Sequence, residues 1–220
     1  MRAIECENLT CSRAMWNGQG SVAVRDVSMH VERGEFVGFC GPDGSGKGLL
    51  LNLIGLLERP DSGILRLGGE ETSRFADEDV AEFRNEACGY LFGHPYLLPS
   101  FSIAENVAMP LFRIRGGDAV EARQRTLEVL HFAGIENFET PLAGRTDHAV
   151  RWRAAFARAL VHEPNILIAI SPPCGNELLP LARRAARELG ITILWSGPRG
   201  ELSPVADRLI EIRDGRLAAD

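Results

Sequence analysis

Between Val22 and Val31 apolar positions alternate with polar ones (Val22, Val24, Val27, Met29, Val31), the period of a strand with one buried face. The residues before it also read as strand. After a turn at Glu32-Arg33-Gly34-Glu35, the run Phe36-Val37-Gly38-Phe39-Cys40 has no alternation, which predicts a short strand buried on both sides. A glycine-rich stretch, Gly41 to Gly48, then opens into Leu49 to Ile54, which has helical character. The turn Arg59-Pro60-Asp61-Ser62-Gly63 leads to a strand over Ile64 to Leu67, residues 75–87 predict a helix ending near Cys88-Gly89, and Tyr90-Leu91-Phe92 reads as another buried strand. From about 104 to 140 the pattern is helical, with breaks expected at Pro110 and at Gly116-Gly117 and a long amphipathic stretch from Asp118 to Ala133. Arg151 to His162 predicts a basic helix. The buried strands Ile166 to Ile170 and Ile191 to Trp195 flank a helix over Leu179 to Leu189. Strands and helices in alternation, with uninterrupted apolar strands, predict an α/β fold whose parallel sheet is covered on both faces.

Composition narrows the function more than the fold. A chain of 220 residues suits one large domain or a core with a small lobe. With 45% hydrophobic and 25% charged residues it is an ordinary globular chain. A net charge of −6 argues against a nucleic-acid partner, yet permits docking on the Lys/Arg-rich cytoplasmic loops of a membrane protein. The five cysteines (Cys6, Cys11, Cys40, Cys88, Cys174) are dispersed without C-x-x-C pairing, so they read as reduced thiols rather than a disulfide framework or zinc site. The N-terminus has no basic-then-apolar signal, and no run of about 18 apolar residues occurs. If the protein works at a membrane, a partner is expected to hold it there.

The chemistry is concentrated in Gly41-Pro42-Asp43-Gly44-Ser45-Gly46-Lys47-Gly48, which matches the Walker A pattern G-x-x-x-x-G-K-[ST] at every position but the last. Glycines let backbone N–H groups converge on phosphate oxygens, the following helix adds the positive end of its dipole, and Lys47 brings a point charge to the outer phosphates. An isolated G-x-x-G would be better read as a turn that binds nothing. Here the loop lies between a buried strand and a helix, the context that a phosphate loop requires. Position 48 is the departure: a serine or threonine hydroxyl there would coordinate the Mg²⁺ that bridges the outer phosphates, and Gly48 has none.

Read outward from this loop, nearly the whole chain resembles an ABC transporter ATPase subunit, nearest to the lipoprotein-releasing and macrolide-exporting type and its cell-division homologues. The segments that carry the resemblance are Val24 to Ser28, Glu32 to Phe36, Leu53 to Gly63, Leu97 to Val107, Ala157 to Val161 and Ala206 to Gly215. The resemblance implies a P-loop-type parallel sheet core, an N-terminal antiparallel β lobe and a helical subdomain. A single domain over residues 1–220 is expected, with 1–90 and 151–220 forming core and lobe and about 91–150 the helical subdomain.

Within that framework the catalytic motifs depart from the family one after another. Gly93 stands where the Q-loop glutamine is expected after Leu91-Phe92. Counting back from Arg153 and Arg158-Ala159-Leu160, the signature segment falls on Thr146-Asp147-His148-Ala149-Val150, without its serine or glycine pair. The Walker B strand ends in Ile170 in place of the metal-side aspartate and Ser171 in place of the catalytic glutamate. Pro172 is kept, the D-loop is altered around Cys174-Gly175-Asn176-Glu177, and Gly197 replaces the switch histidine after Trp195-Ser196. The interval between these last two motifs is shorter than the family's usual one.

The resemblance therefore implies a nucleotide-binding subunit with no catalytic residues and no metal ligands. ATP binding is expected to be weak and Mg²⁺-independent, through Trp16 (the place of the adenine-stacking aromatic, although it reads almost equally as a loop tryptophan covering the sheet edge), Gly41, Asp43, Gly44, Ser45, Gly46, Lys47 and Gly48. Loss of a general base alone costs roughly 10²–10⁴-fold in rate, so hydrolysis should be negligible. His94, His148 and Glu177 are the candidates for a rerouted mechanism, although each also reads as an ordinary loop residue. The expected partners are a permease whose coupling helix enters near Gly93 to Leu98, and a second subunit, either a copy of this chain or a catalytically active paralogue. The protein is expected to be cytoplasmic and peripheral on the inner face of the cell membrane. A scaffold that binds no nucleotide, and an active ATPase with displaced catalytic groups, are the alternatives.

Overall fold

The structure, a computed structural model, describes residues 2–14, 21–114, 118–172 and 177–218, apart from the side chains of Arg113 and Ile114. Strands β1 (Arg2–Ala14) and β2 (Ser21–Glu32) pair antiparallel, and β3 (Phe36–Cys40) leads through the glycine loop into helix α1 (Lys47–Ile54). β4 (Ser62–Leu67) and β5 (Glu70–Glu71) follow, then α2 (Asp77–Ala87) and β6 (Cys88–Leu91). Next come α3 (Ile103–Ile114), α4 (Ala119–Phe132) and α5 (His148–Leu160). The remainder is β7 (Ile166–Ala169), α6 (Leu178–Leu189), β8 (Thr192–Ser196), the short α7 (Arg199–Leu202), β9 (Arg208–Arg213) and β10 (Arg216–Leu217).

Two sheets result, one ordered β2-β1-β4-β5 and the other β10-β9-β3-β8-β7-β6. In the second, β9, β3, β8, β7 and β6 run parallel, and β10 closes the edge antiparallel. Its strands are buried on both faces, as their unbroken apolar runs require. Leu167, Ala169, Ile193 and Trp195 pack with α3 to α6 on one side. Their neighbours Ile166, Ile168 and Leu194 join Val37, Phe39, α1 and the antiparallel sheet on the other. Each fully buried aliphatic or aromatic side chain contributes about 1.5–3 kcal/mol relative to exposure, so the sheet's two covered faces anchor the loops at its ends.

Local chemistry sets the helix limits. The Asp118 carboxylate accepts from the backbone N–H groups of Val120 (2.8 Å) and Glu121 (3.2 Å), capping α4 where the sequence placed its start. Asp147 caps α5 by accepting from Val150 N at 2.8 Å, so that helix begins at His148, earlier than the Arg151 expected. Pro110 does not break α3. Ile103, Val107 and Leu111 form a fully buried i, i+4, i+8 stripe, and this packing outweighs the single hydrogen bond that proline removes. β6 stops at Leu91, and Phe92 stands outside it, its ring stacked on Tyr90 with centroids 5.9 Å apart.

Candidate functional site

The glycine loop leaves the C-terminal end of β3 and enters α1 in the order the sequence implied. Two of its glycines are sterically obligatory. At Gly41 (φ +145°) a Cβ would lie 2.2 Å from the Ile212 carbonyl oxygen, and at Gly46 (φ +98°) a Cβ would lie 2.2 Å from that of Ala23. The loop is fixed by Ser45 N donating to Pro42 O (3.2 Å), Gly215 N donating to Ser45 O (2.8 Å) and Leu50 N donating to Gly46 O (2.9 Å). Gly46 caps α1 without a side-chain acceptor, and the first turn holds no acidic residue, so its leading N–H groups face the loop uncompensated. The Ser45 hydroxyl is buried with no hydrogen-bond partner. An orphaned hydroxyl and open helix amides in a glycine cradle fit an anion of phosphate type.

Lys47 is largely buried. Its ammonium donates to the carbonyls of Gly41 and Pro42, both at 3.0 Å, and lies 3.6 Å from the carboxylate of the fully exposed Asp43. A cleft of about 710 Å³ opens beside it. It is lined by Cys40 to Asp43 and Lys47, by Ser171 and Pro172 after β7, and by Ser196 to Arg199, Glu201 and Glu211. Burial raises the pKa of the Cys40 thiol, opposed by the nearby charges of Arg199 and Lys47.

The positions singled out for departing from the family pattern meet in this region. Gly48 faces Ile170: a Cβ on Gly48 would lie 3.9 Å from the Ile170 Cγ2 methyl. Where the resemblance expects a hydroxyl and a carboxylate for Mg²⁺, the structure has a bare backbone and a hydrocarbon, and this donor set does not fit the metal. Ser171 adopts a left-handed backbone (φ +47°), and its N–H donates to Ser196 Oγ at 2.7 Å. Gly197 N donates to Phe39 O at 3.1 Å, tying the next loop to β3. A Cβ on Gly93 would come 3.1 Å from the Ser171 carbonyl oxygen, so the two loops approach closely.

The candidate stand-ins are engaged elsewhere, and none lines the cleft. His94 Nδ1 accepts from Tyr96 N at 3.1 Å. His148 Nε2 accepts from Trp152 Nε1 at 3.0 Å beside the Asp147 cap, and Glu177 pairs with Arg153 at 3.4 Å. Trp16 and Cys174-Gly175-Asn176 lie outside the described residues. Pattern reading missed Cys40, Ser196, Arg199 and Glu211 as cleft-lining residues. Only Arg199, two residues beyond Gly197, left a usable trace, since a basic residue next to a glycine-loop cleft is a candidate anion ligand.

A second surface adjoins the cleft. Residues 93–98 are held from below by Arg158, whose guanidinium donates to the carbonyls of Tyr96 and Pro95, both at 2.7 Å. Burial lowers the pKa of that guanidinium. Tyr96, Leu98 and Phe101 are exposed large hydrophobic residues in and just after this segment. No helix among the described residues is long and apolar enough to cross a membrane.

The ABC transporter family pattern matches residues 24–171. The lipoprotein-releasing system ATP-binding protein LolD 1 of Rhodopseudomonas palustris is 33% identical over 198 residues, 87% of this chain and 88% of that one. The macrolide export ATP-binding/permease protein MacB of Neisseria meningitidis is 31% identical over the full length of this chain, which spans 35% of it. Among solved structures, the dimeric ATP-binding cassette MJ0796 bound to ADP and Pi superposes with a TM-score of 0.85 at 27% identity, covering 98% of this chain and 97% of that one.

Proposed function

The chain belongs to the ABC transporter family as an ATP-binding domain, and on that premise we propose that it is a catalytically degenerate nucleotide-binding subunit of a transporter-type membrane complex. The observation that carries this reading is the juxtaposition of Gly48 and Ile170, a bare backbone near a hydrocarbon side chain where metal-bearing oxygens would be needed. Nucleotide is held by Gly41, Asp43, Gly44, Ser45, Gly46, Lys47 and Gly48, with Trp16 toward the base. When bound, ATP supplies a transferable γ-phosphoryl group. This chain offers amide N–H groups, the Ser45 hydroxyl and the Lys47 ammonium to it, and at Ser171 and Gly197 neither a carboxylate nor an imidazole to act as general base. Binding is weak and indifferent to Mg²⁺, and hydrolysis is negligible.

A permease partner is supported by the relative that combines ATP-binding and permease parts in one protein, and a paired subunit by the dimeric cassette. The docking surface is the 93–98 loop with Tyr96, Leu98 and Phe101, which would take an amphipathic coupling helix. The second subunit is another copy or an active paralogue, and the complex places this chain at the cytoplasmic side of the membrane.

One observation favours the scaffold reading: the Lys47 ammonium is already hydrogen-bonded to its own loop, so a ligand must displace those contacts. Titration with labelled ATP, with and without Mg²⁺, separates the two. The expected result is one weak isotherm in both conditions, lost in Lys47→Ala. The double variant Gly48→Ser/Ile170→Asp should acquire Mg²⁺-dependent tightening that neither single change produces. ATP turnover by the pure chain, abolished by Lys47→Ala, would overturn the degenerate reading.

A further inference from the structure

Among the described residues lining the cleft, the cations are Lys47 and Arg199, and the carboxylates facing them are Asp43, Glu201 and Glu211. Arg199 opens α7 two residues beyond Gly197 and lines the same cleft as Lys47, and its side chain is 65% exposed. Its tie is a single long hydrogen bond, Nη1 to Glu211 Oε2 at 3.2 Å. Glu211 has a closer partner in Arg213, whose Nε donates to Oε1 at 2.7 Å and whose Nη2 lies 2.6 Å from that oxygen. Arg199 can therefore swing away without stranding a carboxylate, and an exposed pair of this kind holds its members only weakly.

A triphosphate that enters without a metal keeps its full negative charge, and Lys47 offsets one unit of it. We propose that Arg199 is a phosphate-binding residue that supplies the remaining cationic partner to the terminal phosphate of metal-free nucleoside triphosphate. A guanidinium presents a planar fork of donors that matches two phosphate oxygens, which suits it to take over charge that a divalent ion would otherwise neutralise. A contact confined to the terminal phosphate is selective for triphosphate over diphosphate. The inference rests on the nucleotide-binding reading above.

Isothermal titration in EDTA tests it, with ATP, ADP and inorganic tripolyphosphate as probes and wild type, Arg199→Gln, Arg199→Lys and Lys47→Ala as proteins, each checked for an unchanged melting temperature. Arg199→Gln should weaken ATP about tenfold or more and ADP less than about twofold, with Arg199→Lys between. A parallel loss for tripolyphosphate assigns the recognition to the phosphate chain alone, and a loss confined to ATP assigns it to the nucleotide; both support the contact. If Lys47→Ala abolishes ATP binding while Arg199→Gln leaves it unchanged, this inference fails and the nucleotide reading stands. If wild type binds none of the three probes, both fall together.

Discussion

Replacing Asn106 should loosen the loop over residues 98–102 by an amount that its hydrogen bonds define. Asn106 is fully buried at the start of α3. Its Oδ1 accepts from Leu98 N at 2.7 Å, and its Nδ2 reaches the carbonyls of Ser102 (2.9 Å), Leu98 (3.1 Å) and Phe101 (3.3 Å). In Asn106→Ala the carbonyls keep other donors: Phe101 N for Leu98 O, Ala143 N for Phe101 O and the residue-106 N–H for Ser102 O. The Leu98 amide loses its acceptor outright. One stranded donor costs about 1–3 kcal/mol and each of the two side-chain amide N–H groups forfeits a hydrogen bond worth about 1 kcal/mol, so the total is about 3–5 kcal/mol. Urea unfolding should show a lower midpoint at unchanged slope, and amide exchange should accelerate first across 98–102. Asn106→Asp sharpens the test. Its carboxylate would face three carbonyl oxygens, so its folded pKa is raised above the unfolded value of about 3.9. That variant should be most stable below the unfolded pKa and lose stability as pH rises through the folded one. An alanine variant within about 0.5 kcal/mol of the parent, or an aspartate variant flat with pH, would refute the reasoning.

Gly46→Ala drives a Cβ to 2.2 Å from the Ala23 carbonyl oxygen at φ +98° and should cost more than about 2 kcal/mol, together with nucleotide binding. Gly44→Ala, at φ +77° with open space around it, should cost about 1 kcal/mol; thermal melts of the pair give the comparison. Asp207 accepts two hydrogen bonds from Arg183 (2.6 and 2.7 Å) and one from Phe36 N (2.9 Å), and the Arg183 bonds foremost hold its pKa below the usual value. Its contribution is therefore present above the unfolded pKa of about 3.9 and lost as pH falls through the lower folded one, so Asp207→Asn should flatten the acid limb of a pH–stability curve. Burial pushes the Cys6 and Cys88 thiols up to about 12, so iodoacetamide at neutral pH should leave both unlabelled until the chain unfolds, as peptide mapping would show.

The amphipathic and apolar periods and the glycine loop with Gly48 after its lysine were legible in the chain itself. Each is a local property: alternation reports which face of a strand is covered, and glycine spacing reports where the backbone must curl. Pro110 shows the limit of such reading. Its helix-breaking tendency is intrinsic to the residue, but Ile103, Val107 and Leu111 are buried by other elements, and that burial decides the outcome.

Asn106 read only as part of a familiar segment, because the carbonyls it gathers come from a loop whose path is set by packing. What the amino-acid order determined by itself was the sheet with its two covered faces and a cradle shaped for phosphate. That Gly48 faces the side chain of Ile170, and that Arg199 shares a cleft with Lys47, was decided by the tertiary structure alone. Those residues lie far apart along the chain, and the parallel register of β3, β8 and β7 brings their loops to one sheet end. Periodicity carries no information about such distances, since it records each element's own buried face and not which loops its neighbours bring beside it.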